Sequence, residues 1–312
     1  MDAEIGDGLR LALAEYLQTR RALGYKLART EKLLNQFVDY LLASDEVGIS
    51  TSSALSWASL PEKSEGSWRN YRLCVVRTFA RYLSISDTTV EVPAMGLLPY
   101  SPPRATPYLY SVAEIMALLD AASILSCPQR QGTMATLVGL LATTGLRVGE
   151  AIQLDVTDIE TDRQLLRVRD TKFGKTREVL LHPTAIAALE KYRADRLRWQ
   201  PASDCPALFL SLAGTRLLYC NVHHAFQRMV VEAGLSARSG KCRPRIHDLR
   251  HSFAVASMLD AYTAGGDGQA QLALISTYLG HTDPAATYWY LSAAPELMAA
   301  AAERLAAYEE RS

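Results

Sequence analysis

The sequence predicts a mainly α-helical protein with a small β-sheet, arranged in two parts of unequal size. Three observations predict it. Apolar residues recur at helical spacing through the first 92 residues, prolines crowd residues 93–107, and one hairpin-like pair of segments stands among further helical patterns. A chain of 312 residues is long enough for two domains of ordinary size. We expect a helical domain over 1–92, a proline-rich linker over 93–107 and a second domain over 108–312.

Leu9, Leu13, Tyr16 and Leu17 mark the first helix, and Leu33, Leu34, Phe37, Tyr40 and Leu41 the second. Ser52 and Ser53 are candidate caps for a short helix ending before Pro61. Trp68, Tyr71, Val75, Phe79 and Tyr82 follow the i, i+3, i+4, i+7 rule, with Arg69, Arg72, Arg77 and Arg81 at intervening positions. Pro93, Pro99, Pro102, Pro103 and Pro107 then interrupt any helix. Ser111 and Glu114 form a capping box that opens a helix carrying Ile115, Leu118 and Leu119.

Leu165 and Val168 lead through a turn containing Gly174 into Val179, Leu180 and Leu181, a β-hairpin. Pro183 starts a helix through Leu197, and Ala207 to Leu210 is a short strand or buried segment. Asn221 caps a helix that runs to Ala233 and stops at Gly234. Helices follow over His251–Leu259 and Leu272–Leu279, separated by a glycine-rich loop, and Pro295 begins a last, alanine-rich helix.

The apolar fraction of 49% is that of a soluble globular protein. The longest nearly apolar run, Leu137 to Leu146, is too short for a membrane span of about 20 residues. The start Met1-Asp2-Ala3-Glu4 lacks the features of a signal peptide, so a cytoplasmic location and no membrane partner are expected. None of the five cysteines forms a Cys-x-x-Cys pair, and Cys205 and Cys220 near His223 and His224 read as unrelated side chains. Neither a metal nor a cofactor is expected.

Net charge is zero, from 33 basic and 33 acidic residues, but basic residues cluster locally. Arg163, Arg167, Arg169, Lys172, Lys175 and Arg177 form one run, and Arg238, Lys241, Arg243, Arg245 and Arg250 another. Each run is either a solvated face or a surface for an anionic partner.

Four segments concentrate chemistry: Thr144-Gly145-Leu146-Arg147-Val148-Gly149-Glu150; Thr171-Lys172-Phe173-Gly174-Lys175-Thr176-Arg177; His247-Asp248-Leu249-Arg250-His251; and Leu279-Gly280-His281, followed nine residues later by Tyr290. Together they suit attack of a tyrosine hydroxyl on a DNA phosphodiester. Its anionic oxygens repel a nucleophile, and two arginines, Arg147 and Arg250, can clamp one phosphate with planar, permanently charged forks. A tyrosine with a pKa near 10 needs a base or a strongly positive site, and His247 is a candidate base. The departing 5′ oxygen needs a proton, which Lys172 on its hairpin can give. Lys175 competes for that role, and Tyr288 and Tyr278 compete with Tyr290. His251 reads as a capping or core histidine.

The four segments, in this order, resemble those of the tyrosine recombinases, the phage integrase family. The resemblance covers about residues 108–300, and the N-terminal half is similar only in general form to the helical core-binding domain of that family. It implies a core-binding domain followed by a catalytic domain. By the same resemblance, Arg147 and Arg250 bind the scissile phosphate, Glu150 supports the pocket around Arg147, and Lys172 is the general acid. His247 acts as acid–base, His281 bonds a phosphate oxygen and Tyr290 forms the 3′-phosphotyrosine bond.

The implied partners are double-stranded DNA recombination sites, three further copies of the chain in a tetramer on two sites, and other recombinases of the same element. The implied setting is the nucleoid. The helix from Pro295 resembles the segment that such proteins dock onto a neighbouring subunit, and the region around Tyr290 resembles integrases of mobile elements. Arg72, Lys175, Arg177, Arg243 and Arg245 are candidate DNA contacts. Extra residues between Arg250 and His281 depart from the family pattern and read as a surface loop over Ala261–Ala270. A DNA-relaxing enzyme of the type IB topoisomerase kind and a catalytically silent DNA-binding regulator share these features and stay as alternatives.

Overall fold

The computed structural model describes residues 2–44, 46, 48–60, 64–98, 105–169, 176–264 and 268–280. The chain divides into two compact units, Met1–Arg104 and Ala105–Ser312.

The first unit contains α1 (Asp2–Ala22), α2 (Ala28–Ala43), α3 (Thr51–Ser59) and α4 (Gly66–Leu83). Leu13, Tyr16, Leu34, Phe37, Trp57, Leu73 and Phe79 make its core. Edge contacts between aromatic rings fix the helices against each other, with Phe37 and Trp57 T-shaped at 5.1 Å between centroids. The cap of α3 is Ser50, not Ser52 or Ser53. Its hydroxyl accepts from the Ser53 N–H at 3.0 Å, while the Ser53 hydroxyl accepts from the Ser50 N–H at 3.1 Å.

Helix α4 corrects one expectation. Arg72, a candidate DNA contact, is not on an exposed face; it and Arg77 are both buried. Arg72 sits three residues before Val75 and seven before Phe79, on the stripe that packs inward. Its guanidinium lies 3.7 Å from the centre of the Trp57 ring and donates to the Trp57 carbonyl at 2.7 Å. Arg77 donates to the carbonyls of Pro93 and Ala94 at 2.7 and 2.8 Å.

The second unit contains α5 (Val112–Asp120), α6 (Pro128–Thr144), α7 (Val148–Gln153), β1 (Ile159–Glu160), β2 (Leu165–Val168), β3 (Arg177–Leu180), α8 (Pro183–Trp199), α9 (Tyr219–Glu232), α10 (Asp248–Thr263) and α11 (Gly268–Leu279). The Ser111–Glu114 capping box is present at the start of α5. Helix α9 begins at Tyr219, two residues before the expected cap Asn221. Ala207 to Leu210 are buried and make only isolated bridges, to Asp155 and Arg216.

The three strands form one antiparallel sheet in the order β1-β2-β3, with Ile159 opposite Leu166, Leu166 opposite Val179 and Val168 opposite Arg177. Leu166, Val168 and Val179 face inward, and Glu178 and Leu180 face solvent. Strand alternation therefore puts Arg177 on the same face as Val179.

Helix α10 starts three residues before the expected His251, which brings Arg250 into its first turn. Asp248 at that start places a carboxylate at the positive end of the helix dipole. The expected surface loop over Ala261–Ala270 is largely helical: Ala261–Thr263 continue α10 and Gly268–Ala270 begin α11. Ala254, Val255 and Met258 packing on Leu272, Ile275 and Leu279 explain why both helices extend. Residues 265–267 and the expected helix from Pro295 lie outside the described residues. Among the described residues, no helix is long and apolar enough to cross a membrane.

Candidate active site

The site forms where the C-terminal end of α6 meets the starts of α7 and α10 and the end of α11. Helix α6 stops at Gly145, which adopts φ +61°. A side chain there would be strained by the backbone and would also collide, since its Cβ would lie 2.6 Å from Phe253 Cδ1 and 2.9 Å from Leu279 Cδ2. The chain turns at this glycine and delivers Arg147 to the start of α7.

Glu150, one turn into α7, holds that arginine. Its carboxylate accepts from the Arg147 backbone N–H at 3.0 Å and from Arg147 Nη1 at 2.8 Å. It also accepts both Nη groups of Arg177, at 3.0 and 2.8 Å. Burial alone would raise the pKa of this carboxyl group. The bonds from Arg177 and the Arg147 N–H, with both positive charges, outweigh that and hold it at about 2. Glu150 is thus an anion throughout the neutral range.

Arg250 is only 2% exposed. Its Nη1 donates to the Gly145 carbonyl and its Nη2 to the Leu279 carbonyl, each at 2.8 Å. Arg147 Nη2 reaches the Gly280 carbonyl at 3.5 Å. Two arginines more than a hundred residues apart in sequence therefore bind consecutive carbonyls, immediately before His281. The Arg147 side chain keeps 38% of its surface exposed, so part of its fork remains open to a ligand.

His247 immediately precedes α10 and keeps solvent-exposed surface. Desolvation by the surrounding protein, followed by the charge of Arg250, nevertheless holds its imidazole below the usual histidine value; Asp248 opposes this, and Arg147 and Arg245 add smaller lowering contributions. A neutral ring at pH 7 can accept a proton. His251 stands edge-on to His247, with centroids 5.3 Å apart, and its Nε2 lies 3.8 Å from Asp248 Oδ1. The fully buried Asp248 receives Arg245 Nε and Nη2, each at 2.9 Å. Tyr278 stacks on Phe253, and burial pushes its hydroxyl up to about 12, a poor setting for a nucleophile.

Of the expected site residues, Arg147, Glu150, His247 and Arg250 come together here. Lys172, Lys175, His281, Tyr288 and Tyr290 lie outside the described residues. Arg177, a candidate DNA contact, is engaged by Glu150 instead of standing free on the surface, with its side chain 14% exposed. Sequence reasoning missed that role, though its signal was present: Arg177 precedes the apolar Val179 by two, so a strand reading already turned it inward. Arg243 is exposed, and Arg245 keeps an exposed face while paired to Asp248.

A cavity of about 440 Å³ between α6 and α8, lined by Leu119, Gly132, Ala135, Leu140, Leu189 and Tyr192 among others, contains none of these residues. Among the described residues, no three His, Cys, Asp or Glu side chains cluster to hold a metal ion.

Residues 111–296 match the phage integrase family. The chain is 41% identical over 304 residues to y4rB of Sinorhizobium fredii, named as an integrase/recombinase, covering 95% of this chain and 96% of that protein. It is 31% identical over 231 residues to the tyrosine recombinase XerD of Caulobacter vibrioides, covering 73% and 71%. Among solved structures, the Tn1549 transposon integrase in complex with a circular intermediate DNA shares the fold at a TM-score of 0.62 and 16% identity, covering 89% of this chain and 94% of that one. The lambda integrase tetramer bound to a Holliday junction does so at 0.58 and 19%, covering 90% and 76%.

Proposed function

The chain belongs to the phage integrase family, the tyrosine recombinases, enzymes that break and rejoin DNA strands; on that premise we propose that Tyr290 is the nucleophile with which it carries out site-specific recombination. The observation that carries this reading is the seating of Arg147 and Arg250 on the consecutive carbonyls of Gly280 and Leu279. It sets two permanent positive charges beside the segment that leads to His281 and Tyr290.

In the proposed step, Arg147 and Arg250 hold the scissile phosphate and offset the charge that grows on its non-bridging oxygens. The Tyr290 oxygen forms a bond to phosphorus while the bond to the 5′ oxygen breaks. The tyrosine proton passes to His247, and Lys172 protonates the leaving 5′ oxygen. His281 bonds a phosphate oxygen. The product is a 3′-phosphotyrosine and a free 5′ hydroxyl, and the reverse step, with the 5′ hydroxyl of another strand, rejoins DNA. The covalent link keeps the energy of the phosphodiester, so the scheme calls on neither ATP nor a metal.

Four copies on two DNA sites would exchange strands in pairs through a Holliday junction. Lys175, Arg243 and Arg245 are the remaining candidate contacts to DNA, and we place the enzyme in the cytoplasm on the nucleoid. The test is incubation with nicked duplexes drawn from the DNA flanking its gene, followed by mapping of the adduct. A covalent adduct through Tyr290 is expected with excess EDTA present. Supercoil relaxation without site preference would favour a topoisomerase, and DNA binding without any adduct a silent regulator.

A further inference from the structure

Glu150 poses an electrostatic problem for the site it serves. It fixes Arg147 through the backbone N–H and the side chain, at 3.0 and 2.8 Å. Yet a carboxylate so close cancels the positive charge that Arg147 is to offer a phosphate. Arg147 and Glu150 alone sum to zero. The bidentate pair from Arg177, at 3.0 and 2.8 Å, brings the group of three to +1.

The geometry keeps that charge near the phosphate end of the site. The Arg177 guanidinium lies against Gly280, where an added Cβ would be 3.2 Å from Nη1 and 3.4 Å from Cζ, and Gly280 is the residue whose carbonyl meets Arg147. Arg177 is also little exposed, so it acts across the protein interior, where charges are screened less than in water.

We infer that Arg177 is a positioning residue for DNA cleavage that lets Glu150 orient Arg147 without neutralising it. This rests on the recombinase reading above. It also ties the hairpin strand that follows Lys172 to the arginine motif, so the two halves of the site share one carboxylate.

The test is single-turnover adduct formation on nicked duplex oligonucleotides tiled across the DNA flanking the gene, with gel-shift binding to the uncleaved duplex and melting temperature beside it. Rates should follow the net charge of the three side chains. Arg177→Gln, net zero, should cleave about 100-fold more slowly, the scale of losing one charge stabiliser. Arg177→Lys, net +1, should stay within about tenfold of wild type, and Glu150→Gln/Arg177→Gln, also +1, should regain at least about tenfold over Arg177→Gln. Duplex affinity should change by less than about threefold throughout, because both Nη groups of Arg177 are engaged by Glu150 and its side chain is little exposed.

If Arg177→Gln does not fold, the double variant removes the stranded carboxylate and is compared directly with wild type and Arg177→Lys. Rates that track the number of hydrogen bonds left, with the double variant slowest, overturn the inference. So does a rate for Arg177→Gln within about threefold of wild type. Absence of adduct with the wild-type chain on every duplex counts against the recombinase reading itself and removes the basis of this inference.

Discussion

Arg77 and Arg250 are both buried arginines that donate to two backbone carbonyls. Their partners make the difference. Arg77 binds consecutive residues, Pro93 and Ala94, and so pins one stretch of chain inside the first unit. Arg250 binds Gly145 and Leu279, which lie 105 and 29 residues away in sequence. One ends a helix two residues before Arg147; the other stands two residues before His281. Burial of a guanidinium is therefore no mark of function by itself. What marks the second arginine is that its carbonyls belong to separate chemical motifs, so that one side chain gathers a site.

The largest effect should come from the residue this gathering is proposed to serve. Tyr290→Phe should abolish the covalent adduct while duplex binding stays within a few-fold of wild type, as measured by denaturing gels and gel shift. An adduct that survives in this variant and disappears in Tyr288→Phe would move the nucleophile by two positions.

The next effect separates the two arginines. Arg250→Ala should slow cleavage by at least about 100-fold, and it should also lower the melting temperature because two buried carbonyls lose their donor. Arg77→Ala should cost about 1–3 kcal/mol in urea unfolding for the same local reason, with the adduct rate of the folded protein unchanged. If Arg77→Ala slowed the chemistry as much as Arg250→Ala, the distinction between pinning and gathering would be lost.

Much of this was legible in the sequence. Helices α1 to α5 and α8 to α11, the paired strands β2 and β3 and the capping box of Ser111 and Glu114 follow from apolar spacing and local chemistry, whereas α6 and α7 were not expected. The grouping of Arg147, Glu150, His247 and Arg250 follows from their motifs. The inward turn of Arg72 was less legible, because an arginine at a core position contradicts the usual pattern unless the Trp57 ring beneath it is known. The extension of α10 and α11 into Ala261–Ala270 was hidden by glycines, which signal a loop even where neighbouring apolar residues keep the helix packed. The strand pattern turns Arg177 inward, but its partner Glu150 lies 27 residues away on another element, and no local pattern names that partner.

Acid should expose that pair. Glu150 is held at about 2, below its ordinary value of 4.5. Its stabilisation is therefore present above about pH 4.5 and is lost as pH falls towards 2. Glu150→Gln should flatten this part of the stability curve in chemical denaturation across pH, whereas Arg77→Ala should leave its shape intact. Equal slopes in wild type and Glu150→Gln would show that the carboxylate gains nothing from its two arginines.

The smallest effect tests the first unit alone. Ser50→Ala removes a reciprocal cap and should cost about 1 kcal/mol in the same unfolding measurement, with adduct formation unaffected. A loss much larger than this would mean that α3 depends on its cap more than on the packing of Trp57.

The long reach of Arg250 has a consequence in time. A chain leaves the ribosome from its N-terminus, at about 5–20 residues per second. The Gly145 carbonyl is available long before Arg250 appears, but the Leu279 carbonyl comes 29 residues after it. Until then the arginine lacks that seat, and Arg147 has no Gly280 carbonyl to meet. The nascent protein can fold its first unit early while its phosphate clamp stays unassembled. Until the segment carrying Leu279 and Gly280 has been made, the two arginines lack the adjacent carbonyls that seat them side by side.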